Sequence, residues 1–157
     1  MTIERLSETN MITIDFTVPG KPMGKERPRV TTRGTYTPQK TKDYEEAVRK
    51  AFYEALLDRT DGYSHDANKV RLAEVYITAY FGVPKSWSLG KKRDSFHQPA
   101  PRKPDADNID KVICDALNGV AYKDDACVTE LDVSKRYCGR DDEPRVEVTV
   151  GLVVDGA

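Results

Sequence analysis

Apolar and polar positions alternate with a period of two in several stretches of this chain, and with a helical period in two others. Met11 to Val18 (M-I-T-I-D-F-T-V) puts Ile12, Ile14, Phe16 and Val18 on one side, which predicts a strand ending at Pro19-Gly20. Val70 to Val83 alternates through Val70 and Leu72, then through Val75, Ile77, Ala79 and Phe81. The change of phase near Ala73-Glu74 permits a β-bulge in a central strand. Cys127 to Tyr137 is β-prone, and Arg145 to Val154 (R-V-E-V-T-V-G-L-V-V) alternates cleanly. The Gly139 to Pro144 turn between these two predicts an antiparallel hairpin. Thr37-Pro38 opens a helix running to about Asp58, with Tyr44, Val48, Ala51, Phe52, Ala55 and Leu56 on its apolar face. Ile109, Val112, Ile113, Ala116 and Leu117 predict a second helix over 108–118, with Asp107 as its N-cap, Pro104 barring an earlier start and Gly119 just past its end. The order β, loop, α, β, loop, α, β, β indicates an α+β domain with a mixed sheet.

Composition adds little to the fold but much to the chemistry. At 157 residues the chain suits one domain that buries roughly two thirds of its unfolded surface. Residues 1–10 are polar and read as a flexible tail, leaving 11–157 as the folded unit. No stretch approaches the roughly 20 apolar residues of a membrane span, and no signal peptide opens the chain, so a cytoplasmic protein without membrane contact is expected. Cys114, Cys127 and Cys138 are odd in number and lack C-x-x-C spacing, which argues for reduced thiols. The net charge of −1 hides an uneven distribution. Residues 21–40 carry six Lys/Arg against one Glu, and residues 85–103 six against one Asp, whereas 104–150 hold twelve acids against six bases. Two basic segments flanking an acidic centre suit a polyanion held over a metal site. The bland alternative is that such runs are solvated loops.

Both basic segments read as loops. The first, from Pro19 to Tyr36, is too rich in Pro and Gly for a central strand and fits a loop or bent edge hairpin. Its Lys21, Lys25, Arg27, Arg29 and Arg33 could contact phosphates, with Arg27 and Arg29 held apart by Pro28. The second begins at Pro84 and carries Lys85, Lys91, Lys92, Arg93, Arg102 and Lys103. At about twenty residues it is long for a compact domain. Trp87 within it could stack on a base or anchor the loop to the core. His65 lies in a polar stretch and reads as solvated.

The acids cluster between Lys103 and Asp125 (K-P-D-A-D-N-I-D-K-V-I-C-D-A-L-N-G-V-A-Y-K-D-D). Asp105 and Asp107, one residue apart in extended chain before the helix, would point to the same side. Lys111 stands one helical turn after Asp107, where it can lean back toward the carboxylates. Asp124 and Asp125 follow a brief turn, and a strand beside the start of the helix would bring a third carboxylate to the first two. Carboxylates without histidine make a hard oxygen site suited to Mg²⁺, with Mn²⁺ substituting, and poorly suited to zinc. Each acid alone has a simpler reading, as a helix cap or an i,i+4 partner, and Asp115 fits a solvated helix face best. The cluster as a whole exceeds what capping requires.

These motifs resemble a known family. K-P-D-A-D-N-x-x-K, D-A-L-N-G and the D-D pair, with G-K-x-R-P-R, T-P-x-x-T-x-x-Y and P-K-S-W elsewhere, resemble the signature of RusA-type Holliday junction resolvases, which are common on phages and prophages. The resemblance runs from about Met11 to Val154. It implies a RusA-like α+β domain, with a largely antiparallel mixed sheet packed by two main helices and assembled as a homodimer. It further implies binding of four-way branched DNA and paired nicks made with Mg²⁺ or Mn²⁺. The family's essential acids match Asp105, Asp107 and Asp125, with Asp124 beside the last, and its lysine matches Lys111. Better-known members carry arginine directly before the first aspartate, where this chain has Pro104, so phosphate contacts made there would fall to Arg102 or Lys103. A non-catalytic DNA-binding module is the rival from another class. A D-x-D phosphatase fits poorly because P-A-P-R-K-P, not a hydrophobic strand, precedes the motif. A P-D…(D/E)-x-K nuclease lacks its second half.

Overall fold

The computed structural model describes residues 11–154, so the expected tail over 1–10 lies outside the described residues. The chain forms β1 (Met11–Pro19), a small hairpin of β2 (Arg29–Thr31) and β3 (Gly34–Tyr36), α1 (Gln39–Leu57), β4 (Val70–Phe81), α2 (Leu89–Asp94), α3 (Ala106–Leu117), β5 (Val128–Tyr137) and β6 (Arg145–Val154). Short 3-10 turns at Ala67–Lys69 and Asp125–Cys127 lead into β4 and β5. The main sheet has the order β1-β6-β4-β5, with β6 antiparallel to β1 and β4, and β5 parallel to β4. The fold is thus a single α+β domain with a mixed sheet.

The expected β5–β6 hairpin does not form. A long connection carrying α2 and α3 returns the chain from β4 to a parallel neighbour, as crossover connections do. That leaves β6 to fill the space between β1 and β4. The bulge expected in β4 lies between Ala73 and Glu74, on the β5 side, and a second register shift falls between Val70 and Leu72 on the β6 side. The second basic loop is not featureless, since α2 lies within it. There Ser88 caps the helix by accepting from the Lys91 N–H.

Both long helices pack on one side of the sheet, α1 against β1 and α3, and α3 against β5. Ile14, Phe16 and Val18 of β1, Val75, Ile77 and Ala79 of β4, and Val146, Val148, Val150 and Leu152 of β6 face Val48, Ala51 and Phe52 of α1. Phe16 and Phe52 meet edge to face, with ring centroids 5.9 Å apart. Ile109, Val112, Ile113, Ala116 and Leu117 of α3 are fully buried, each stabilising the fold by roughly 1.5–3 kcal/mol for a large side chain. That stripe fixes which face of α3 is left outward, and the acids sit there. The opposite sheet face presents Glu74 and Tyr76, which alternate with the buried Ala73, Val75 and Ile77, and beside them Glu130 and Asp132 of β5, an edge strand exposed from Thr129 to Asp132.

His65 is not simply solvated. Its Nδ1 lies 2.8 Å from the Tyr63 hydroxyl and its Nε2 2.7 Å from the Val120 carbonyl, and its ring packs edge to face on Phe52. Trp87 takes the core role, edge on to Tyr137, with Lys91 Nζ 4.2 Å above its ring. The three cysteines are free thiols. No helix among the described residues is long and apolar enough to cross a membrane.

Gly119 closes α3 at φ 77°, the left-handed conformation that a side chain resists, with open space around it. Gly119→Ala is expected to cost about 1 kcal/mol and to lower the melting temperature by about 2–4 °C. An unchanged calorimetric melt would show that the turn relaxes without strain.

Candidate active site

Pro104 sits outside α3, and the helix starts two residues earlier than the sequence predicts. Asp105, not Asp107, is the N-cap, with extended φ −66° and ψ 152° and no capping hydrogen bond from its carboxylate. That carboxylate instead pairs with Lys103 Nζ at 2.8 Å, and the nearby ammonium holds it below the usual range for an aspartate. Asp107 stands in the first helical turn, where an acid suits the positive end of the helix dipole. Its Oδ2 lies 3.9 Å from Lys111 Nζ, one turn on. The two aspartates therefore do not project from extended chain. They nevertheless border one cleft of about 370 Å³, together with Lys25, Glu26, Arg27, Pro28, Asn108 and Lys111.

Asp125 arrives by a different route. After Gly119 the backbone folds back, with the Gly119 N–H donating to the Tyr122 carbonyl at 2.8 Å. Tyr122 is wholly buried, and its hydroxyl donates to the Cys114 carbonyl, which ties this turn to α3. Asp124 caps the following 3-10 turn by accepting from the Ala126 N–H at 2.8 Å. Asp125 then lies in a second cleft of about 330 Å³ with Asp110, Lys111, Cys114, Asp115, Thr129 and Glu130. Burial, with the charges of Asp115, Asp124 and Asp110, raises the Asp125 pKa above the usual value. Burial and the Asp110 acceptor push the Cys114 thiol up to about 12, so it stays protonated and unreactive.

Lys111 lines both clefts. The Asp105–Asp107 pair and Asp125 thus stand on either side of one lysine on the outward flank of α3. Among the described residues no three Asp, Glu, His or Cys side chains are placed to hold one ion together. The donor set is all oxygen, as a hard divalent cation prefers, and Asp125, whose pKa burial and neighbouring carboxylates raise, would gain from a positive charge beside it.

Two positions depart from the sequence reading. Asp115 is not merely solvated, since its Oδ2 pairs with Lys25 Nζ at 3.2 Å and it borders the Asp125 cleft. Lys25 is committed to the protein's own acids. Its Nζ lies 3.1 Å from Glu45 of α1, and its N–H donates to the Asn108 carbonyl at 2.9 Å. Burial works to lower its pKa, but the hydrogen bonds its ammonium donates to Glu45 and Asp115, with their charges, together raise it. The sequence reading missed Asp110. Its spacing of three residues from Asp107 and four from Cys114 places it on the same flank, and that spacing was the available signal.

The remaining basic residues divide by location. Arg27 borders the Asp107 cleft, while Arg29 and Arg33 stand on the exposed β2–β3 hairpin. Lys91, Lys92 and Arg93 belong to α2. Lys21, Lys85, Arg102 and Lys103 line one groove beside the site.

Acids clustered along a helix flank and bordered by basic loops suit a protein that meets a phosphate-rich partner. The profile of the family described as endodeoxyribonuclease RusA matches residues 19–151, and the chain belongs to that family. A protein of Bacillus subtilis (strain 168), uncharacterized protein YqaN, is 35% identical over 147 residues, covering 87% of this chain and 94% of the relative. Membership indicates an endonuclease, a hydrolase of DNA phosphodiester bonds.

Proposed function

We propose that this chain resolves Holliday junctions by paired, metal-dependent nicks, with Asp105, Asp107, Lys111 and Asp125 at the site of chemistry. The observation that carries this reading is the single lysine between two carboxylate clefts, on a helix whose start faces basic loops. Asp105, Asp107 and Asp125 would hold Mg²⁺ or Mn²⁺, with Asp124 partly committed to its turn. Bound there, the cation supplies charge neutralisation and a more acidic water. Lys111, already shared by both clefts, neutralises charge growing on the phosphate. Arg27, on the cleft wall, holds a flanking phosphate by its planar fork. Two copies related by a two-fold axis would present two such sites to opposite strands of a near-symmetric junction.

The test is an immobile four-way junction incubated with the protein with and without Mg²⁺. Symmetric nicks that need the metal support the proposal, whereas a gel shift without nicks at any metal concentration favours a binding module. A second expectation concerns Arg27. Arg27→Ala should weaken junction binding at all sequences alike and lower the slope of log affinity against log salt by about one. An unchanged slope would remove Arg27 from the DNA contact.

A further inference from the structure

We propose that His65 is a positioning residue for Asp125: it holds the turn that delivers this carboxylate to its cleft. The inference rests on the nuclease reading above for the role of Asp125, and on the contacts of His65 for the rest. His65 lies in the connection between α1 and β4, and the carbonyl it binds is 55 residues further along the chain. Among the described residues no part of that connection lines either carboxylate cleft. An effect of His65 on the chemistry therefore passes through the turn.

The bonds at the two ring nitrogens fix the tautomer of the neutral ring. The Val120 carbonyl has no proton to give, so Nε2, 2.7 Å away, carries hydrogen and donates. Nδ1 is then the lone-pair side and accepts from the Tyr63 hydroxyl at 2.8 Å. The ring packs edge to face on Phe52 of α1, with centroids 5.4 Å apart. Phe52 is wholly buried, so the imidazole stands against the core. Its own segment is anchored in turn. Arg59 donates to the Thr13 carbonyl of β1 at 2.6 Å and pairs with Asp61, whose carboxylate accepts from the Tyr63 N–H at 3.2 Å. The Arg59 guanidinium also lies 5.5 Å from the centroid of the Tyr63 ring. One line of contacts thus runs from β1 through this strap to Val120.

The turn at the end of that line is shaped by local bonds. The Gly119 N–H donates to the Tyr122 carbonyl at 2.8 Å, and the Val120 and Ala121 N–H groups donate to the Leu117 carbonyl at 2.9 and 2.8 Å. Two longer-range contacts then locate it. Tyr122, wholly buried and bonded to the Cys114 carbonyl, ties its far side to α3. His65 ties its near side, at Val120, to the packing beneath α1. Lys123, Asp124 and Asp125 follow and are exposed. The direction in which the backbone leaves the turn therefore decides where the Asp125 carboxylate lies. Losing a partner that orients a metal-binding group from behind costs roughly 10–100-fold in activity.

The experiment compares the wild-type chain with His65→Leu and His65→Gln. Leucine keeps an apolar contact with Phe52 and removes the bond to Val120, whereas the glutamine amide can donate from near the Nε2 position. With Mg²⁺ and a four-way junction, His65→Leu is expected to lower kcat about tenfold. KM should stay within about twofold, as for a change felt in the transition state alone. His65→Gln should regain most of the lost kcat. Hydrogen exchange read by mass spectrometry should be faster over residues 118–126 in His65→Leu, with β1 and β6 exchanging as in the wild type. Wild-type kcat in His65→Leu would overturn the proposal, and so would equal losses in both variants. Faster exchange spread evenly over the sheet would overturn it too, since a merely structural role gives that pattern. The exchange measurement involves no cleavage. A wild-type chain that never nicks the junction would sink the nuclease reading, while an unloosened turn in His65→Leu sinks the brace alone.

Discussion

Asp125→Asn and Asp107→Asn are each expected to leave junction binding within a few fold of the wild-type chain while lowering its cleavage by about 100-fold or more. The size follows from several kcal/mol of transition-state charge stabilisation, with tenfold in rate for about each 1.4 kcal/mol. Asparagine keeps the shape of aspartate and removes its charge, so packing gives no reason for the loss. Stability separates the two sites. Asp125 is crowded by Asp115, Asp124 and Asp110, and its neutral replacement should melt no lower than the wild-type protein. Asp107 faces Lys111 across 3.9 Å at the surface, a pair expected to contribute only about 0.3–0.5 kcal/mol. Either variant cutting at the wild-type rate, or failing to bind the junction while still folded, would remove that residue from the chemistry.

Gly24→Ala is expected to impair the site from outside it. A Cβ at Gly24 would stand 2.8 Å from the Pro104 Cβ and 3.0 Å from the Asn108 Cβ. Neither neighbour can swing aside, since one belongs to a ring and the other is the first carbon of a helical side chain. The loop must lift instead, yet the Lys25 N–H is bonded to the Asn108 carbonyl, and Lys25 Nζ bridges Glu45 and Asp115. Overpacking of this kind costs about 1–3 kcal/mol, and a displacement near 1 Å at reacting groups can lower the rate by about 100-fold. A melt with a junction-cleavage assay reads both effects. Gly90→Ala is the control, because its added Cβ meets nothing within 4 Å. If Gly24→Ala cleaves like the wild type, the contact between the first basic loop and α3 has no part in forming the site.

Local periodicity made much of the fold legible. β1, β4 with its bulge, α1 and the buried stripe of α3 each follow from spacing within a single segment, where the burial demand is felt residue by residue. The partner of β5 was not legible in that way. Nearness in sequence favoured β6, while the parallel pairing with β4 depends on a long crossover that no local pattern records. The start of α3 was misplaced for a related reason. Asp105 and Asp107 are equally good caps by residue type, and the helix starts at the earlier one even though the Asp105 carboxylate pairs with Lys103 and makes no capping hydrogen bond. Motif spacing picked out Asp105, Asp107, Lys111 and Asp125, but not their division between two clefts. The commitment of Lys25 was hidden because Glu45 lies twenty residues away on another element. Charge counts gave the basic loops without showing that Lys21, Lys85, Arg102 and Lys103 meet at one groove.

The central claim is that the carboxylates on either side of Lys111 act on one divalent cation. A crystal soaked in Mn²⁺ tests it most directly, through the anomalous signal of the ion. The account predicts a peak contacted by Asp107 and Asp125 together, with Asp105 on the same ion or on a second beside it. An anomalous map with no shared peak, and Asp107 and Asp125 still in their separate clefts at saturating Mn²⁺, would contradict it.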